Sequence, residues 1–302
     1  MAGTYLSEKQ IQKEKAIMQK RAMRSNLYGT RVAIKAKEGE ISGLWYYQEG
    51  DRLDFVLVEV HGGGFMYNSA ADDDNLCREI HERLKIPVLA CDYRLTPEYK
   101  YPTGLEDVYA CGNYATQHPV FGKEKPKVIF WGHSAGANLA AGAVYLAKER
   151  KEYKVACQIL DYPYMDAYKT SRERKRIRSS VSGKLMDTFA HQYTADGDLK
   201  KPLISPVLMT EESLSGMPDT FLLLCGRDNL NQGGKDYGKL LKKAGVKVNF
   251  YYVRDALHGF IENYYNYPYV PLLTKLTVTK EQGRLAEEAL SAIADWLFLR
   301  CL

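Results

Sequence analysis

The sequence predicts an open, mostly parallel α/β sheet with helices on both faces, built as one domain. Three observations carry that expectation. Apolar, β-rich runs recur along the chain, helical patterns separate them, and 302 residues with 45% apolar content suffice for one large core without disulfides or metals.

Strands are expected at 31–37, 41–48, 54–60, 88–93, 128–131, 157–161, 221–225 and 247–253. From the third onward most are near-continuous hydrophobic runs, as strands covered on both faces require. Helical patterns lie between them. At 72–84, Leu76, Ile80 and Leu84 recur every four residues, and further patterns cover 105–116, 135–150 and 235–244. A closing helix over 281–299 carries Leu285, Ala289, Ile293 and Trp296 on one face. Strands alternating with helices imply right-handed crossovers, and ligands in such sheets sit at the carboxyl ends of the strands. Two segments break the alternation, the helical N-terminus to about residue 30 and the polar stretch of about 165–205, which includes a helix-like 184–193. Both are expected to cap the active edge of the sheet.

Composition narrows the partners. The net charge is +5, with acidic and basic residues interspersed, so no nucleic-acid partner is called for. The basic run from Arg172 to Arg178 is broken by Glu173 and reads as a solvated surface face. Six cysteines lie mostly in apolar segments with no C-x-x-C spacing, which fits reduced, packed thiols. The N-terminus is charged and amphipathic, without the apolar core of a signal peptide, and no run reaches membrane-spanning length. A soluble cytoplasmic protein without cofactor or metal is expected, with a homodimer left open.

The chemistry concentrates in four places. Gly132-His133-Ser134-Ala135-Gly136 follows an apolar strand and precedes an Ala-rich helix, the setting in which G-x-S-x-G makes a sharp turn and lifts its serine clear of the sheet. Ser134 is thus the candidate nucleophile. His61-Gly62-Gly63-Gly64-Phe65 follows the third strand, and its glycines let backbone N–H groups turn toward a developing oxyanion. Gly63, Gly64 and Ala135 are the candidate donors. Of the six histidines, His258 alone sits on a loop after the last strand, where a general base belongs. His133 should point away from the serine hydroxyl, and His61 should shape its loop. Asp228, at the end of the seventh strand, is the preferred carboxylate to orient His258. Asp255 competes from closer in sequence but would need a tight fold-back. The order Ser134, Asp228, His258 is that of the α/β-hydrolases.

Together these motifs resemble the hormone-sensitive-lipase-like (bacterial acetylesterase or carboxylesterase) branch of the α/β-hydrolase superfamily. Besides the glycine run and elbow, the matching residues are Asp92-Tyr93-Arg94-Leu95-Thr96-Pro97-Glu98, Tyr101-Pro102, Leu105-Glu106-Asp107, Asn138-Leu139-Ala140, Ser205-Pro206, Asp228 and His258-Gly259-Phe260, in order over roughly 55–262. The resemblance implies an eight-stranded sheet with a small helical cap, oxyanion donors at Gly63, Gly64 and Ala135, and a polar network of Arg94, Glu98 and Asp107 beneath the glycine loop. It also implies a serine carboxylesterase acting on small esters with short acyl chains. His133 before the serine departs from the branch, where Asp or Thr is usual, and leaves feruloyl-esterase or formamidase activity on the same triad as the alternative. A binding protein on the same scaffold is a third reading, disfavoured because all three triad residues are present. The tyrosines 264, 265, 267 and 269 either wall the leaving-group side of the pocket or form a surface loop.

Overall fold

All eight β-rich runs become strands of one sheet in the computed structural model, which describes residues 5–123, 125–177, 181–269 and 275–302. The strands are β1 Thr30–Lys35, β2 Glu40–Tyr46, β3 Phe55–Val60, β4 Val88–Asp92, β5 Lys127–His133, β6 Val155–Asp161, β7 Asp219–Arg227 and β8 Val248–Leu257. Their spatial order is β1-β2-β4-β3-β5-β6-β7-β8. β1 and β2 form an antiparallel hairpin, β2 pairs antiparallel with β4, and β3 to β8 run parallel. The strand that bears the site is central: β5 lies between β3 and β6 and is buried after its first residue.

Nine helices appear among the described residues: α1 Glu8–Ala22, α2 Asp74–Leu84, α3 Thr103–Gln117, α4 Ala135–Arg150, α5 Gly183–Tyr193, α6 Glu211–Leu214, α7 Asn231–Lys243, α8 Phe260–Tyr265 and α9 Lys280–Arg300. Two buried apolar clusters flank the sheet. One joins the sheet to α3, α4 and α7 through Leu105, Val108, Ala137, Val144, Tyr237 and Leu241. The other joins it to α2 and α9 through Leu76, Ile80, Leu84, Leu285, Ala289 and Ile293. This two-sided cover is why the inner strands read as unbroken hydrophobic runs.

Most boundaries move by one or two residues from the sequence reading, and two move by four. α7 begins at Asn231, four residues earlier than the pattern suggests, because Gly233 and Gly234 weaken the helical signal exactly where tight packing demands them. A Cβ on Gly233 would meet the Asp166 carboxyl carbon at 2.6 Å, and one on Gly234 would meet Leu224 at 2.6 Å. β8 continues to Leu257, so His258 follows the strand directly.

The two segments outside the alternation meet each other over the carboxyl edge of the sheet. Leu6 N–H donates to Thr188 Oγ1 of α5 at 2.9 Å, and Tyr5 stacks on His191 at 4.4 Å. α1 is held on its other side by Lys15, which donates to Thr96 O at 3.1 Å and pairs with Glu98, and by Arg21 against Asp72 at 3.2 Å. Residues 1–4 and 178–180 of these segments, Arg178 included, lie outside the described residues. Within the basic run, Arg174 departs from the expected solvated face. It is buried, with Nη1 donating to Asp166 Oδ1 at 2.7 Å and Nη2 to Asp166 O at 2.7 Å, because it ties the segment down rather than facing water. No helix among the described residues is long and apolar enough to cross a membrane. The six cysteines are free, and all but Cys301 are buried.

Candidate active site

The elbow between β5 and α4 places Ser134 at φ 55°, ψ −114°, a conformation a non-glycine residue adopts only under constraint. The constraint is visible. Ser134 N–H donates to Asp161 O of β6 at 2.9 Å, and Ser134 O accepts from Tyr164 N–H at 3.1 Å. The flanking glycines permit the turn: a Cβ on Gly136 would stand 2.1 Å from Val60 O, and one on Gly132 would stand 2.5 Å from Gly136 O.

Strand order alone brings the other two groups to the serine. Asp228 follows β7 and is buried, and Leu230 N–H donates to its Oδ1 at 3.0 Å. Its Oδ2 is 2.7 Å from His258 Nδ1, and His258 Nε2 is 2.9 Å from Ser134 Oγ. An ionised carboxylate can only accept, so Nδ1 carries the proton and Nε2 is free to take one from the hydroxyl. Asp255 is exposed on β8, with its carbonyl accepting from Gln282 at 3.0 Å. It is Asp228 that holds the His258 ring.

The glycine run lies against the elbow. A Cβ on Gly62 would be 3.2 Å from His133 O and 3.5 Å from Ser134 Cβ. Gly63 and Gly64 have φ of 111° and 63°, and a Cβ on Gly64 would drive into the Phe189 ring at 2.2 Å. Ala135 opens α4, where a backbone N–H has no intrahelical acceptor. Among the described residues, no protein acceptor takes the N–H groups of Gly63, Gly64 or Ala135.

The support of this loop differs from the implied network in one member. Arg94 grips Asp107 through Nε at 2.9 Å and Nη2 at 2.6 Å, but Glu98 pairs with Lys15 of α1 instead. The loop itself is fastened by neighbours of that pair. Thr96 donates to Phe65 O through N–H at 2.9 Å and Oγ1 at 3.2 Å, and Tyr93 OH donates to His61 O at 3.0 Å. His61 stacks on Tyr93 at 4.2 Å, a loop-shaping role.

His133 points down from the elbow into a buried cluster the sequence did not announce. Its Nδ1 is 3.1 Å from Asp161 Oδ2 and 3.8 Å from Glu262 Oε2, and its Nε2 is 3.8 Å from Glu59 Oε1. Trp131 Nε1 donates to Asp161 Oδ2 at 2.6 Å, and Tyr162 OH donates to Glu262. Burial opposes a charged ring, yet the carboxylates of Glu262, Asp161 and Glu59 outweigh it and hold His133 up to about 10. Burial pushes Glu59 well above the carboxylate range, with Asp73 adding to the shift. One signal was available. Glu59 interrupts the apolar run Phe55 to Val60, and a charge in a strand buried on both faces needs a partner.

The first two tyrosines of the stretch pack on α2 and α9. Tyr265 OH accepts from Arg83 of α2 at 3.2 Å, Tyr264 packs on Gly283 of α9, and Tyr267 and Tyr269 are exposed. The surface loop expected is met only at Tyr267 and Tyr269, because Tyr264 and Tyr265 end α8 and are half-buried against the core.

A family model described as alpha/beta hydrolase fold matches residues 57–262. The carboxylic ester hydrolase LipN of Mycobacterium tuberculosis is 34% identical over 242 residues, 77% of this chain and 64% of that protein. An arylesterase of Saccharolobus solfataricus is 30% identical over 211 residues, 68% of each chain. Among solved structures, a Pyrobaculum calidifontis esterase superposes with a TM-score of 0.75 at 29% identity, covering 95% of this chain and 90% of that one. The alignments span a little under two thirds of the length of the first curated relatives.

Proposed function

This chain belongs to the hormone-sensitive-lipase-like branch of the α/β-hydrolases, and from that premise we propose that it is a serine carboxylesterase for small, short-acyl esters. The observation that carries the proposal is the unbroken relay from Asp228 Oδ2 through His258 to Ser134 Oγ, at 2.7 and 2.9 Å. In this reading His258 Nε2 takes the hydroxyl proton as Ser134 Oγ attacks the ester carbonyl. Asp228 keeps the ring in the tautomer that can do so and stabilises the imidazolium. The carbonyl oxygen becomes an oxyanion received by the N–H groups of Gly63, Gly64 and Ala135, each such donor being worth about 3 kcal/mol of barrier. His258 then hands its proton to the leaving alcohol, and a water activated by the same imidazole cleaves the acyl-enzyme.

The preference for short acyl chains is supported by Phe189, which closes over Gly64 so tightly that even a methyl would not fit between them. In the same proposal, α1 and the segment around α5 form the cap. Hydrolysis of p-nitrophenyl esters from acetate to decanoate tests this reading. Highest kcat/KM is expected at acetate to butyrate, with Ser134 labelled by a fluorophosphonate. A preference for chains of ten or more carbons would refute the acyl assignment, and a protein that neither hydrolyses the esters nor takes the label would refute the esterase.

A further inference from the structure

Glu262 is a carboxyl that the hydrolytic cycle does not employ, yet it is bonded to Tyr162, whose ring touches His258. It lies four residues after His258, in the first turn of α8. Tyr162 OH donates to its Oε2, and the Tyr162 ring meets His258 edge-on at 5.1 Å, so the carboxyl is anchored against the triad. Its Oε1 is on the side of the glycine loop: the Cβ position of Gly62 that is 3.5 Å from Ser134 Cβ is 3.7 Å from Glu262 Oε1. The side chain keeps 15% of its surface in solvent, while His133 and Glu59 keep none.

The surrounding charges leave this carboxylate unbalanced. Facing it are His133 from β5, Asp161 and Tyr162 from the end of β6, Glu59 from β3 with Cys77 of α2 behind it, Asp73 at the start of α2, and, across Tyr162, His258. Burial raises Glu59 well above the carboxylate range and raises Asp73 as well. The one cation, His133, has its shortest contact to a carboxylate with Asp161. Burial, aided by Asp73, also raises Glu262 to about 7, against the pull of His133. Above that pH its Oε1 presents a negative charge beside the glycine loop that faces Ser134.

We propose that Glu262 is a specificity-determining residue that selects esters bearing a cationic group close to the scissile bond. The inference rests on the esterase reading and adds a substrate class to it. Charge is the discriminating property, because a carboxylate anchored in a partly dry site attracts a cation far more than a neutral group of equal shape.

Two isosteric pairs test it: acetylcholine against 3,3-dimethylbutyl acetate, and betaine ethyl ester against ethyl 3,3-dimethylbutanoate. Each pair exchanges a quaternary nitrogen for carbon, on the alcohol side and the acyl side respectively. The ratio of kcat/KM, cationic over neutral, is measured in the wild type and in Glu262→Gln; for a pair turned over too slowly, the ratio of competitive inhibition constants against p-nitrophenyl acetate replaces it. Electronic effects of the nitrogen persist in the variant, so the change in ratio isolates the carboxylate. In at least one pair the ratio should fall about tenfold on substitution, equivalent to about 1.4 kcal/mol, and Glu262→Asp should restore part of it. In the wild type the same ratio should rise severalfold between about pH 6 and about pH 8 as the carboxyl ionises. That profile decides the matter if Glu262→Gln does not fold. A ratio that moves less than about twofold in both pairs, or a flat wild-type profile, overturns the proposal. Turnover of p-nitrophenyl acetate and fluorophosphonate labelling of the wild type separate the two failures: if both are present and selectivity is absent, only the role of Glu262 falls.

Discussion

Two histidines flank the same serine, each paired with an aspartate, and they differ in what else touches them. His258 reaches Ser134 Oγ at 2.9 Å and has one carboxylate, Asp228, on its far nitrogen. His133 is the chain neighbour of Ser134, but its ring is enclosed with Asp161 at 3.1 Å and with Glu59 and Glu262 at 3.8 Å. A base must exchange its proton with a reacting group, and so needs one nitrogen aimed at that group. A ring held among carboxylates is a structural cation. Access, rather than residue type or closeness in sequence, separates the two.

That contrast can be broken in several places. The largest effect is expected at the serine itself: Ser134→Ala should lower kcat by about 10⁴-fold or more and abolish fluorophosphonate labelling while leaving the thermal midpoint nearly unchanged. Next, the two aspartates should separate chemistry from stability. Asp228→Asn is expected to lower kcat by about 10⁴-fold through the wrong tautomer of His258. Asp161→Asn should act mainly on stability, by about 3 kcal/mol in denaturant unfolding, because it strips a buried imidazolium of its nearest carboxylate. If Asp161→Asn instead cost as much kcat as Asp228→Asn with unchanged stability, the division of labour drawn here would be wrong.

A fourth substitution probes the loop between the pairs. Gly64→Ala must push aside Phe189, with φ at 63°, and should reduce kcat/KM by about 10²-fold through the displaced oxyanion donors. The smallest effect concerns pH. The folded protein holds a proton on His133 up to about 10, whereas an unfolded histidine releases it near about 6.5, so the folded state binds more protons in that window. Stability from this pair is therefore complete below about pH 6.5 and declines as pH rises toward 10. Thermal midpoints measured across that range should fall, and His133→Gln should flatten the decline; an equally steep slope in the variant would remove His133 as its cause.

The corrections share one physical origin. Eight strands and the main helices were legible because covered strands and amphipathic helices impose periodicities on a single sequence. The start of α7 was not, since Gly233 and Gly234 are set by approach to Asp166 and Leu224, contacts that leave no periodic trace. Arg94 and Asp107 met as the resemblance implied, whereas Glu98 turned to Lys15 of α1, a partner 83 residues away that no local pattern could indicate. Arg174 looked solvated in its basic run and is buried because Asp166 accepts from it.

The sequence by itself determined the sheet, the strained turn at Ser134 and the glycine run, because each is a local matter of propensity and steric room. It also marked out Ser134, Asp228 and His258 by their positions after strands. Only the tertiary structure decided which carboxylate holds which imidazole. Asp228 over Asp255, Asp161 beneath the elbow and Glu262 at its side are set by the order in which strands assemble, since β6 and β7 bring together groups separated by 28 residues or more. Electrostatic partnership falls off with distance in space, and distance in space is what folding creates.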